Sequence, residues 1–106
     1  MLPPYQTEQP ERAALDALDG DTVVEFGANW CGICQAATPH IEAALAVRPG
    51  VRHLRIEDGP GRPLGRSFGI TLWPTLVLMQ GGRELARVVR PRNDGDLAQA
   101  LEASGH

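Results

Sequence analysis

The chain has 106 residues, of which 42% are hydrophobic and 22% charged, with a net charge of -3. That is enough length for one domain with its own core, and too much apolar residue for a disordered tail. The mildly acidic balance argues against a nucleic-acid binder, and no apolar run approaches the roughly 18 residues of a membrane helix. All ten basic residues are arginine, a bias given no functional weight.

Residues 1–9 are Pro-rich and polar, and read as an extended lead-in with at most a short edge strand. Neither a basic stretch nor an apolar run resembling a secretory signal stands at this end, so a reducing cytoplasm is the expected setting. Pro10-Glu11-Arg12 opens a helix that presents Ala13, Ala14, Leu15, Ala17 and Leu18 and stops at Gly20. Thr22 to Ala28 is β-branched and apolar apart from Glu25, the pattern of a buried strand. A helical pattern then runs from about Ile33 to Val47, with a kink expected at Pro39. Val51 to Ile56 alternates as a strand, with Val51, His53 and Arg55 on one side and Arg52, Leu54 and Ile56 on the other. A short helix is predicted over Pro63 to Phe68. Thr75 to Met79 and Glu84 to Val89 form strands joined at Gln80-Gly81-Gly82 by a tight hairpin. A last helix covers Asp96 to Ala103. The order implies one α/β domain spanning 1–106, with a mixed sheet of four to five strands and helices on both faces.

Cys31 and Cys34, the only two cysteines, stand at the junction of the first strand and the long helix. A thiolate attacks a disulfide; a thiol does not. At the start of a helix, Cys31 lies near unpaired backbone N–H groups and the positive end of the helix dipole, both of which favour the anion. Cys34 is one turn further in, on the same side and more buried. Cys31 therefore reads as the nucleophile that forms a mixed disulfide, and Cys34 as the resolving thiol that attacks it. Gly32 leaves room for a partner backbone. Two bland readings compete. The pair could be half of a zinc site, but a structural zinc takes four ligands, only His40, His53 and His106 remain, and no His-x3–5-His pair exists. An inert buried pair fits poorly with Gly32 and the strand-to-helix junction.

From about residue 10 to 104 the chain resembles the thioredoxin family. Phe26-Gly27-Ala28-Asn29-Trp30-Cys31-Gly32-Ile33-Cys34 resembles the active-site stretch. Pro39 matches the kink proline, Gly69-Ile70-Thr71-Leu72-Trp73-Pro74-Thr75-Leu76 the cis-proline segment, and Gly81-Gly82 the hairpin. The resemblance implies that Pro74 is cis and that the backbone of Trp73 pairs with an extended substrate segment. It aligns Glu25 with a buried aspartate under the second cysteine. Burial would raise the pKa of such an acid and suit it to accept the proton of Cys34; the alternative is an acid at a strand edge paired with an arginine.

Four positions depart from the family. Ile33 replaces a proline, and Gly27 a tryptophan whose space Trp73 is expected to fill. His53 stands for a lysine near the buried acid. Arg90 stands for a glycine lining the substrate groove, where Arg87, Arg90 and Arg92 would form a basic rim. Trp30 reads as a partly exposed wall of that groove, with Gly32, Ile33, Trp73, Pro74 and Arg90. The implied function is that of a monomeric thiol–disulfide oxidoreductase in cell redox homeostasis. It would act on disulfide-bearing proteins, draw electrons from a reductase or another dithiol protein, and need no metal or organic cofactor. The rival reading is an adaptor or chaperone-like module that uses the groove without turnover.

Overall fold

The computed structural model describes residues 1–106. It contains α1 (Arg12–Asp16), β1 (Asp21–Gly27), α2 (Gly32–Ala46), β2 (Arg52–Glu57), α3 (Pro63–Ser67), β3 (Thr75–Gln80), β4 (Arg83–Val89) and α4 (Asp94–Ala103). The sheet has four strands in the order β2-β1-β3-β4. β1 pairs in parallel with β2, and the other two pairings are antiparallel. The lead-in adds one parallel bridge, Gln6 to Ile56, and no strand. α1 is shorter than the sequence pattern suggests, ending at Asp16, while Gly20 (φ 77°) turns the chain into β1.

The period-two alternation of β1 divides the core. Val24 and Phe26 face one way and pack with Leu15, Ile56, Leu64, Phe68, Val77 and Met79 under α1 and α3. Val23 faces the other way and packs with Ala37, Ile41, Ala44, Leu76, Leu78, Leu97 and Leu101 under α2 and α4. Glu25 shares the face of Val23, so the same alternation that builds the core carries a carboxylate beneath α2.

Three local devices shape the sheet and the helix that follows β1. α2 continues through Pro39 as a single helix, with Pro39 on its solvent side. The Gly81-Gly82 hairpin places both residues at positive φ, 58° and 81°, as a two-residue turn between twisted strands requires. Register pairs Phe26 with Thr75, which sets the Trp73–Pro74 turn level with Gly27 and the loop leading to the cysteines.

Candidate active site

Cys31 is the N-cap of α2. Its backbone is extended (φ -79°, ψ 115°), and its sulfur accepts the Cys34 N–H at 3.2 Å. One of the orphan donors of the helix start is thus aimed at the sulfur that the sequence assigns as nucleophile. Both cysteines are free thiols; Cys31 is half-buried, and Cys34 is 1% exposed. Burial, and then the hydrogen bond with Cys31, push the Cys34 thiol up to about 11, against opposing hydrogen bonds from the Ala28 backbone and the Tyr5 side chain. A Cβ on Gly32 would meet nothing within 4 Å, so that glycine faces open space beside Cys31.

The wall of the site is aromatic. Trp30 is 74% exposed, and its ring meets that of Trp73 edge-on, with centroids 5.7 Å apart. The Trp73–Pro74 bond is cis, as the resemblance implies, and Pro74 is buried. Trp73 Nε1 donates to Asp58 at 2.9 Å, which pins the indole toward the β2 side. On the other side, Ile33, Ala36, Ala37, His40, Arg90, Pro91 and Arg92 line a shallow groove of about 400 Å³. Arg90 has φ 53°, a left-handed backbone that favours glycine. Its N–H donates to the Pro74 carbonyl, and its Nε donates to the Trp73 carbonyl at 2.8 Å.

Beneath α2 lies a buried polar cluster. Glu25 is 0% exposed. Arg55 donates to it through Nε at 3.0 Å and Nη2 at 2.9 Å, a two-pronged ion pair. His53 Nε2 lies 2.8 Å from Glu25 Oε1, and the Tyr5 hydroxyl donates to Oε2. Arg55 also reaches the Thr38 hydroxyl, and Thr38 in turn donates to the carbonyl of Cys34. No group of three or more His, Cys, Asp or Glu is disposed to hold a metal ion.

The thioredoxin family model matches residues 6–103. The chain is 36% identical to a thioredoxin of Chlamydia muridarum over 83 residues, which cover 77% of this chain and 80% of that one. It is 31% identical to a thioredoxin of Chlamydia trachomatis over 97 residues, or 91% and 94% of the two chains. The solved structure of thioredoxin 2 from Pseudomonas aeruginosa in its reduced form superposes with a TM-score of 0.89 at 52% identity, covering 98% of this chain and 96% of that one. The chain belongs to the thioredoxin family. It is a thiol–disulfide oxidoreductase, and Cys31 and Cys34 have the spacing of the family's active-site pair. Thioredoxins work through such a pair without an organic cofactor, act on disulfide-bearing proteins and are reduced by a reductase.

Against the other thioredoxins, the departures resolve as follows. The space opened by Gly27 is not filled by Trp73, which is held against Trp30 and Asp58. It is filled by Tyr5: a Cβ on Gly27 would lie 2.6 Å from Tyr5 Cζ and Oη and 2.9 Å from Cys34 Sγ. Glu25 is not an acid with a raised pKa. Burial does push its carboxyl up, but the hydrogen bonds of His53 and Arg55, the Arg55 charge and the Tyr5 hydroxyl outweigh that and hold it below the ordinary value. Nor is it at an edge, because β1 is an inner strand. The rim is less basic than the sequence suggests: Arg87 is tied to Glu84 at 2.6 and 2.8 Å and to the Phe68 carbonyl, on the α3 side. The Trp73 carbonyl, offered by the sequence to a substrate strand, is already bonded to Arg90. Arg55 and Tyr5 escape the sequence reading. A lone tyrosine in a polar lead-in and an arginine in an edge strand carry no motif; the one signal is Gly27 itself, a small residue where the family resemblance implies a tryptophan.

Proposed function

We propose that Cys31 attacks a substrate disulfide, that Cys34 resolves the resulting mixed disulfide, and that Glu25 is the group that ultimately takes the Cys34 proton. The observation that carries this reading is the asymmetry of the pair. Cys31 is the more accessible sulfur and accepts a helix N-terminal N–H, whereas Cys34 is buried one turn deeper. A sulfur in the first setting is suited to anionic attack from solvent, and one in the second to intramolecular attack only. Glu25, kept ionised by Arg55, has a carboxylate free to accept the proton, as a weaker base than an ordinary carboxylate, and His53 on its other oxygen can take the proton on.

Trp30, Gly32, Ile33, Trp73, Pro74 and Arg90 form the surface that receives the substrate. The exposed indole of Trp30 and the side chain of Ile33, 46% exposed, flank the attacking sulfur, and the Trp73–Pro74 turn, its two carbonyls bonded to Arg90, closes the surface beside them. Arg90 and Arg92 give one rim positive charge, which favours acidic segments. The chain acts as a single monomeric domain in the cytoplasm, passing electrons from a reductase to protein disulfides in redox homeostasis. No helix is long and apolar enough to cross a membrane. No observation favours an adaptor that binds without turnover.

Trapping tests the roles. Cys34→Ser, incubated with an oxidised protein substrate, accumulates a mixed disulfide through Cys31, while Cys31→Ser accumulates none. Capture through Cys34 instead would reverse the assignment.

A further inference from the structure

Cys34 is sealed from solvent, yet its proton must leave before its sulfur can attack. We infer that Tyr5 is the relay: its hydroxyl passes the Cys34 proton to Glu25 and then steadies the thiolate left behind. This rests on the resolving role proposed for Cys34.

Tyr5 lies just outside the span matched by the family model, in a lead-in that is otherwise exposed or partly exposed. Tyr5 itself is 4% exposed. Its backbone is clamped on both sides by the Asn29 side chain, Tyr5 N–H donating to Oδ1 at 2.8 Å and Asn29 Nδ2 donating to the Tyr5 carbonyl at 3.3 Å. The Arg55 guanidinium sits 4.2 Å over its ring. The phenol thereby fills the space beside Gly27, where Oη and Cys34 Sγ lie 2.6 and 2.9 Å from the position a Cβ on that glycine would take. Its proton is directed to Glu25 Oε2. One hydroxyl thus lies between a buried thiol and a buried carboxylate, its lone pairs left for the thiol side.

The step balances. The Cys34 S–H bond breaks and its proton goes to Tyr5 Oη, while the Tyr5 hydroxyl proton goes to Glu25. Glu25 becomes neutral, Cys34 becomes a thiolate and Tyr5 is unchanged. The thiolate attacks Cys31 Sγ, the Cys31–substrate S–S bond breaks, and its electron pair leaves on the substrate sulfur. The substrate is reduced and the pair is oxidised. His53, bonded to the other oxygen of Glu25 with 13% of its side chain exposed, gives the proton an exit. The titratable and charged groups around Cys34 are then Cys31 on its own helix, uncharged in the mixed disulfide, Glu25 on β1, His53 and Arg55 on β2, and Tyr5.

Tyr5→Phe removes the hydroxyl and keeps the ring. Stopped-flow reaction with 5,5′-dithiobis(2-nitrobenzoate) separates attack by Cys31, whose rate scales with reagent, from resolution by Cys34, whose rate does not. In Tyr5→Phe the attack phase stays within about twofold of wild type and the resolving phase slows by about tenfold or more, with its pH midpoint moved upward. An unchanged resolving rate and midpoint would overturn the relay while leaving the cysteine roles intact. Equal slowing of both phases would also overturn it, marking Tyr5 as packing only. Wild-type protein with no resolving phase would instead sink the role of Cys34. Independently, ¹³Cβ NMR of Cys34 in Cys31→Ser shows a thiol titration that shifts to higher pH when Tyr5→Phe is added; no shift would refute the steadying hydrogen bond.

Discussion

Arg90 shows how one residue holds two opposed tendencies. At φ 53° an arginine is strained by about 1–2 kcal/mol relative to an ordinary backbone conformation. Its Nε bond to the Trp73 carbonyl returns about 1 kcal/mol, so the two effects nearly cancel. Arg90→Gly is expected to change stability by less than about 1 kcal/mol in urea melts. Its functional effect is larger, because the Trp73 carbonyl becomes free to pair with an incoming strand. The KM for a protein disulfide falls, while the rate with a small aromatic disulfide, which makes no strand pairing, is unchanged. A rise in KM would mean that the arginine contributes binding energy of its own.

At the scale of the element, β1 and the lead-in solve one packing problem together. β1 ends in a glycine, and the ring of Tyr5 occupies the volume that a side chain there would take. A methyl group at position 27 would intrude on both the phenol and the Cys34 sulfur. Gly27→Ala therefore destabilises by about 1–3 kcal/mol. In a Tyr5→Ala background the same substitution costs at least about 1 kcal/mol less, because one of its two clashes is gone. Denaturant midpoints of the four proteins in this cycle measure the coupling, and strict additivity would show that Tyr5 and Gly27 do not share the space. The lead-in is thus a working part of the site, although only one backbone bridge ties it to the sheet.

In the whole molecule, the buried groups set how stability follows pH. Glu25 has a lowered folded pKa, so its contribution is present above the ordinary carboxylate value and is lost as pH falls through the folded one. Cys34, raised from 9.0 to about 11, contributes stability that is present below 9.0 and is lost as pH climbs toward 11. Urea midpoints across pH are expected to show an acid limb that flattens in Glu25→Gln and an alkaline limb that flattens in Cys34→Ala. An acid limb as steep in Glu25→Gln as in wild type would remove Glu25 as its source. Element types and order, the two-sided core, the hairpin and the redox pair were legible in the chain, with boundaries off by one to three residues. Each rests on a local signal: alternation of apolar residues along β1, helical spacing after Cys31, paired glycines between two strand patterns, and two thiols one helical turn apart. The cis bond before Pro74 was legible through its family segment. What lay beyond reach was the company of Glu25 and Gly27. Periodicity states which face a side chain occupies but not which distant side chain meets it there. Arg55 and Tyr5 stand 30 and 20 residues from Glu25 in the chain, and only the parallel pairing of β1 with β2 and the return of the lead-in across their ends bring them together. The chemistry of the dithiol was therefore determined locally by the sequence. The ionisation of the acid beneath it, and the path open to its proton, were decided by tertiary contacts, because hydrogen bonds and desolvation in a buried site depend on every segment packed around it.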